Sequence, residues 1–69
     1  MDYLDIITEG KLYKTARDID KFYNRTIPKI EKMSRGWQKQ CLKYFEQKYL
    51  KVGKGDYITD VRFRLKELE

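Results

Sequence analysis

The chain has 69 residues, of which 39% are charged, and its net charge is +5. A chain of this length supports one small core, so we predict a single domain over residues 1–69. No apolar run approaches the about 20 residues that a membrane-spanning helix needs, and the N-terminal sequence MDYLDIITEG lacks the basic start of a secretory signal. We therefore expect a cytoplasmic protein that does not bind a membrane.

Two features of the composition limit the chemistry. The chain has no histidine and a single cysteine, Cys41. Without histidine, the commonest metal ligand and the usual general base are missing, and one cysteine cannot form an internal disulfide. We therefore expect no metal, no cofactor and no enzymatic activity, with Cys41 as a small core residue.

The positive charge is concentrated in the middle of the sequence. Residues 1–10 carry a net charge of −3, residues 11–54 carry +9 and residues 55–69 carry −1. A local excess of lysine and arginine suits a surface that binds a polyanion, because each neutralised phosphate releases condensed counterions. A solvated, lysine-rich surface has the same composition. The placement of these residues on the predicted elements must therefore distinguish a polyanion-binding surface from an ordinary solvated one.

The N-terminal third predicts two helices. Asp2 is a candidate N-cap for a short helix over residues 3–9, and Gly10 is expected to end it in the left-handed conformation. Residues 11–14 are either a loop or a short strand. Thr15 begins a second helix because TARD fits a capping pattern and apolar residues follow at helical spacing. This helix is expected to end near residue 24 or 25, with a fresh start around Pro28.

The segment after Pro28 permits two interpretations. A set of apolar residues spaced 3, 4, 4 and 3 apart can line one helix over residues 27–50: Ile30, Met33, Trp37, Cys41 and Tyr44. Alternatively, the helix breaks at residues 34–36, because Ser34 is a good N-cap and Gly36 costs up to about 1 kcal/mol in a helix interior. We favour the second interpretation, with a short helical turn at residues 28–32 and a main helix over residues 35–49.

The main helix separates into a buried and an exposed face when it is projected at helical period. The buried stripe is expected to consist of Trp37, Cys41, Phe45 and Tyr49, flanked by Leu42 and Tyr44. The opposite face is basic and rich in amides: it carries Gly36, Lys39, Gln40, Lys43 and Gln47, with Arg35 and Glu46 at one border and Lys51 at the other.

The C-terminal segment fits a strand and also a helix. Residues 53–56 form a glycine-containing turn, and Val61, Phe63 and Leu65 alternate with basic residues as in a strand that pairs with residues 49–52. The spacing of Ile58, Val61, Leu65 and Leu68 also fits a helix. We favour the strand, with residues 66–69 as a frayed tail.

The order of helix, loop, helix, helix and β-hairpin resembles the winged helix-turn-helix superfamily. The residues that carry the resemblance are TARDIDKFYN, SRGWQKQCLKYFEQKYL and YLKVGKGDYITDVRFRL. The resemblance implies an α+β domain of three or four helices followed by a C-terminal β-hairpin wing. It further implies sequence-specific binding of double-stranded DNA, with helix 35–49 in the major groove and turn 53–56 as the wing. A homodimer on a palindrome or repeated sites, as in a small transcriptional regulator or a recombination or replication accessory protein, would fit this role.

The resemblance assigns the expected DNA contacts to six residues: Arg35, Lys39, Gln40, Lys43, Lys51 and Lys54. Gln40 suits an adenine edge, and Arg35 or Lys39 suits a guanine edge. The remaining three lysines suit phosphates. We expect alanine at the central positions of the helix to weaken DNA binding more than alanine at Lys66.

Two other functions remain open. The first is a protein-interaction or inhibitor module that docks a basic, tyrosine-rich surface on an acidic partner, because tyrosine and arginine are enriched at interfaces. The second is binding of RNA or single-stranded nucleic acid, if Tyr3, Tyr13 or Tyr57 is exposed and stacks on bases.

Overall fold

The computed structural model describes residues 3–69, which form four α-helices. These are α1 (Tyr3–Gly10), α2 (Ala16–Ile30), α3 (Arg35–Val52) and α4 (Ile58–Glu67). None of the residues in this range is in a β-strand, and none of the four helices is both long and apolar enough to cross a membrane. The predicted α+β class is therefore wrong, and the described chain is all-α.

Helix α3 lies at the centre and packs against each of the other three helices. Its Phe45 ring is fully buried and lies 5.2 Å from the ring of Phe22 and 5.0 Å from the ring of Tyr23, both on α2. The buried apolar residues form one cluster that draws on all four helices: Ile6, Ile19, Phe22, Tyr23, Ile30, Cys41, Leu42, Phe45, Tyr49, Ile58 and Val61. Each outer helix therefore covers a different part of α3.

The predicted first helix is confirmed, but its terminal glycine has a different role. Gly10 is the last residue of α1 and is buried, and the positive φ expected there is found instead at Gly53. A Cβ atom at Gly10 would collide with the hydroxyl and ring of Tyr44. Glycine at this position thus lets α1 approach α3 closely. The capping role predicted for Asp2 lies outside the described residues.

Helix α2 begins as predicted and ends later than predicted. The backbone N–H of Asp18 donates to Thr15 Oγ1 at 3.2 Å, so Thr15 is the N-cap. The helix then continues through Pro28 to Ile30. Proline removes one backbone hydrogen bond near the C-terminal end, but the fully buried Thr26 and Ile30 lie on the same face as the rest of the α2 core. Burial of that face therefore maintains the helix past the proline.

The chain breaks between α2 and α3, as favoured from the sequence. Residues 31–34 are not helical, Ser34 is the N-cap position of α3, and its side chain makes no capping hydrogen bond. The single helix over residues 27–50 is therefore not formed. Cys41, Phe45 and Tyr49 are fully buried as expected.

The predicted β-hairpin wing does not form. Residues 49–52, expected as its first strand, are the last turn of α3, and residues 58–67 form α4. The apolar residues of this segment follow the helical spacing: Ile58 and Val61 are buried, and Leu65 and Leu68 pack against the core. Phe63, which the strand alternation would place on the same face as Val61, is 61% exposed. Residues 66–69 are also not a detached tail, since α4 continues to Glu67.

The turn at residues 53–56 ends α3 and redirects the chain into α4. Gly53 has φ +88° and its N–H donates to the carbonyl of Tyr49, which also accepts the N–H of Lys54 at 2.8 Å. The hydroxyl of Tyr49 donates to Asp20 Oδ1 at 2.5 Å. The N–H of Asp56 donates to Asp20 Oδ2 at 3.2 Å. One aspartate on α2 thus fixes both the end of α3 and the following loop.

Candidate nucleic-acid interface

Helix α3 keeps one face open to solvent because its neighbours cover the other sides. On one flank, the Tyr44 hydroxyl donates to the carbonyl of Ile7 on α1 at 3.4 Å. On the other, Arg62 of α4 pairs with Glu46 at 3.2 Å. The uncovered residues, which we call the outer face of α3, are Gly36, Lys39, Gln40, Lys43, Gln47, Leu50 and Lys51.

The outer face contains four of the six predicted contact residues. Gln40, Lys43 and Lys51 are exposed, and Lys39 is half-buried. From Lys39 to Lys51 the helix rises about 18 Å. A fifth predicted residue, Lys54, is exposed in the loop that follows α3.

The sixth predicted residue, Arg35, is engaged by α4. Its Nε donates to the carbonyl of Leu68 at 3.3 Å and its Nη2 to the carbonyl of Glu67 at 3.4 Å. These carbonyls lie at the end of α4, where a helix lacks backbone donors and favours positive charge. Arg35 therefore caps α4 in this structure and points away from the outer face.

Arginines and lysines have different roles in the described chain. Each of the four ion pairs within residues 3–69 uses an arginine: Arg25 with Glu9, Arg62 with Glu46, and Arg64 with both Glu31 and Asp60. The only acid on α3 is Glu46, and Arg62 holds it on the α4 side. No ion pair within residues 3–69 involves a lysine of the outer face, so these ammonium groups are free to meet an external anion.

A second lysine cluster lies where α3 ends. Lys48 is half-buried; burial lowers its pKa, and the charges of Lys14 and Lys51 lower it further. Lys14 precedes α2 in the sequence, so only the fold brings it to the end of α3. The like charges of these three lysines therefore repel one another.

Lys66 lies closer to the predicted site than expected. It lines, together with Lys43, Arg62 and Glu69, a shallow depression of about 250 Å³ between α3 and α4. The prediction of a frayed tail at residues 66–69 does not bring Lys66 to this site; the helical form of α4 places it beside Lys43. Lys66 is therefore too close to the outer face to serve as a distant control position.

Trp37 lies at the edge of the outer face and is not in the core. Its side chain is 52% exposed, against the expected burial. The ring of Tyr3 lies 5.6 Å from it, tilted by 35°. Together with Leu4, Ser34, Gly36 and Gln40, these two rings line an open depression of about 620 Å³. The helical period alone placed Trp37 in the stripe, but α1 covers only part of its surface.

The tyrosines are less exposed than the predicted role in base stacking requires. Tyr23 and Tyr49 are buried, and the other four are half-buried: Tyr3, Tyr13, Tyr44 and Tyr57. The large exposed aromatic residues are instead Trp37 and Phe63. Phe63 borders a groove of about 300 Å³ between α2 and α4, whose lining includes Glu31, Asp60 and Glu67.

The described part of the chain contains no group of three or more cysteine, aspartate or glutamate side chains placed to hold a metal ion. Comparison with known proteins found no family model, no curated protein and no solved structure that matches this chain.

Proposed function

We propose that the protein binds double-stranded DNA through the outer face of α3. The observation that carries the proposal is the row of Lys39, Lys43 and Lys51 along about 18 Å of one helix, on a face where the helix's only acid, Glu46, is paired with α4. An α-helix fits the major groove of B-DNA, and lysines along it reach the phosphates on either side. Such a role suits a small transcriptional regulator or an accessory protein of recombination or replication.

Within this proposal, Gln40 is the base-reading residue. It is exposed on the outer face, about one turn before Lys43, and its amide can donate to and accept from an adenine edge. Lys39, Lys43, Lys51 and Lys54 serve as phosphate contacts. Arg35 is not assigned to a base because it caps α4. Binding of the major groove by α3 in this way does not require a β-hairpin wing.

A face of this length covers only part of a typical operator. An axial rise of about 18 Å corresponds to about five base pairs at 3.4 Å each. We therefore propose that two copies bind neighbouring half-sites, as a homodimer or cooperatively. We further propose that the protein acts in the cytoplasm, associated with the nucleoid.

Salt dependence of duplex binding tests the proposal. Each lysine–phosphate contact contributes about −0.9 to the slope of log affinity against log salt, so four lysines give a slope of about −3.6 and a loss of about 150-fold between 50 and 200 mM salt. The measurement is fluorescence anisotropy of labelled random and genomic duplexes at these two concentrations. Lys43→Ala should weaken binding and make the slope shallower by about 0.9.

Lys21→Ala provides the matched control for Lys43→Ala. Lys21 is exposed on α2, and α2 covers the buried side of α3 through Phe22 and Tyr23. It therefore carries the same charge on the far side of the molecule. Equal effects of Lys21→Ala and Lys43→Ala would show that the outer face is not the interface, and absence of duplex binding at 50 mM salt would refute the proposal.

A second candidate function is docking on an acidic protein partner by the same basic face. The observation in its favour is the half-exposed Trp37 beside that face, because tryptophan is enriched at protein interfaces. The tyrosines, which first suggested this function, are at least half-buried. A module of this kind would not bind duplex DNA in the titration above.

A further inference from the structure

The depression around Trp37 has the composition of a stacking site for a nucleobase. About half of the Trp37 side chain is exposed, and Tyr3 packs against the indole with ring centroids 5.6 Å apart. Leu4 and Gly36 complete the apolar part of the lining. A rigid aromatic face that is supported on one side and open on the other is what base stacking requires.

The polar groups at this depression match the edges of a base. Gln40 and Ser34 line it, and none of its six lining residues is charged. The Ser34 hydroxyl makes no capping hydrogen bond, and the Gln40 amide makes no hydrogen bond within residues 3–69. A hydroxyl and an amide together offer donors and acceptors to the Watson–Crick edge of an unpaired base.

The depression continues into the lysine row of the outer face. Gln40 belongs to both, and Lys43 lies about 9 Å further along the helix axis than Trp37. A strand whose phosphates follow the lysines can therefore place a base on the indole. The volume of about 620 Å³ falls within the range of small-ligand clefts, about 300–1,000 Å³.

We propose that the Trp37 depression binds an unpaired base of a nucleic acid, by stacking on the indole and by hydrogen bonds from Gln40 and Ser34. This inference rests on the nucleic-acid binding proposed above, and it adds a preference for single-stranded or partly unpaired targets. Duplex DNA contacts the lysines and Gln40, whereas a single strand contacts these residues and also the indole.

The fluorescence of the chain reports this site directly, because Trp37 is the only tryptophan. The probes are an oligothymidine strand, an abasic strand of the same length and a duplex, each titrated at 50 mM salt. Oligothymidine should quench the emission. The abasic strand and the duplex should bind, as seen by anisotropy of a labelled end, with little change in emission.

Two substitutions separate stacking from charge. Trp37→Leu should weaken oligothymidine binding by about five- to 150-fold, the range for loss of one stacked base, and change duplex binding by less than about twofold. Trp37→Phe should recover part of the loss because phenylalanine retains a smaller stacking face. Phe63→Leu, at an aromatic residue in the α2–α4 groove with similar exposure, should have no effect.

The outcomes separate this inference from the function on which it rests. If the duplex and the abasic strand bind but oligothymidine quenches the Trp37 emission no more than they do, the stacking site is refuted. Binding through the lysines of the outer face is then still supported. Equal losses for strand and duplex in Trp37→Leu would also refute the stacking site. If none of the three probes binds at 50 mM salt, nucleic-acid binding itself is refuted. Quenching by oligothymidine alone, without duplex binding, would support the stacking site and refute the duplex as target.

Discussion

The hydroxyl of Tyr49 is expected to stabilise the fold because it ties the end of α3 to α2. Its ring is fully buried, and the hydroxyl donates to Asp20 Oδ1 at 2.5 Å. Tyr49→Phe keeps the ring and removes this hydrogen bond alone. A hydrogen bond to a charged group contributes roughly 1.5–3 kcal/mol, and because Asp20 is half-buried, water replaces part of it. We expect a loss of about 1–2 kcal/mol.

This loss is measurable in a domain of this size. A chain of 69 residues has a free energy of unfolding of roughly 3–10 kcal/mol, and each kcal/mol shifts Tm by about 4–8 °C. Urea and thermal unfolding, followed by far-ultraviolet circular dichroism, should therefore show Tm lowered by about 5–15 °C. Tyr57→Phe is the matched control, since the half-buried Tyr57 hydroxyl makes no hydrogen bond within residues 3–69.

The loss of stability caused by Tyr49→Phe should also depend on pH. Burial, and then the hydrogen bond to Asp20, raise the pKa of Tyr49 above its ordinary value of 10.0. A raised pKa in the folded state means that the hydroxyl contributes its full stability below the pKa of the unfolded tyrosine, about 10, and loses it as the pH rises further. The difference between the wild type and Tyr49→Phe should therefore shrink above about pH 10. Equal stabilities of Tyr49→Phe and Tyr57→Phe at neutral pH would show that the link to Asp20 contributes nothing.

Two further predictions concern glycine and cysteine. Gly55→Ala should destabilise the fold by about 1–3 kcal/mol, because its Cβ would collide with Asp20 and the ring of Tyr49. Gly36→Ala should stabilise the fold by up to about 1 kcal/mol, because no atom lies within 4 Å of a Cβ at position 36. Urea unfolding measures the free energy of both variants. A change of the same sign in both variants would contradict the close packing at Gly55. Burial raises the pKa of the Cys41 thiol to about 11. At about pH 8, iodoacetamide should therefore alkylate the native protein more than about 100-fold slower than the urea-unfolded chain. Equal alkylation rates would contradict the burial of Cys41.

Local signals in the sequence were sufficient for the start of α2 and for most of α3. Thr15 caps α2 through the predicted hydrogen bond, and Ser34 marks the start of α3. Periodicity correctly placed Cys41 and Phe45 in the core. These features depend on neighbours along the chain, which the sequence displays directly.

The form of the C-terminal segment depends on contacts that the sequence does not display. Residues 58–68 satisfy both an alternating and a helical pattern. The helix forms because Val61 and its neighbours pack against the flank of α3 that α1 and α2 do not cover. The proline in α2 presents the same difficulty, since burial of Ile30 compensates for a local signal that favours a break. In both cases tertiary packing overrides the local preference.

The candidate site was predictable only as far as it lies on one helix. The exposure of Gln40 and Lys43 follows from the period of α3 and agrees with the structure. The diversion of Arg35 to the end of α4 depends on α4 being a helix, which the strand prediction excluded. The approach of Lys14 to Lys48 likewise depends on how the α1–α2 loop passes the end of α3.

The most direct test of duplex binding by the outer face of α3 is a nuclear magnetic resonance titration of the isotope-labelled protein with a DNA duplex at low salt. We predict that the backbone amide shifts change most at residues 39–51 of α3 and little at Lys21 on α2. Changes centred on the groove around Phe63, or no changes at 50 mM salt, would contradict binding of DNA by this face.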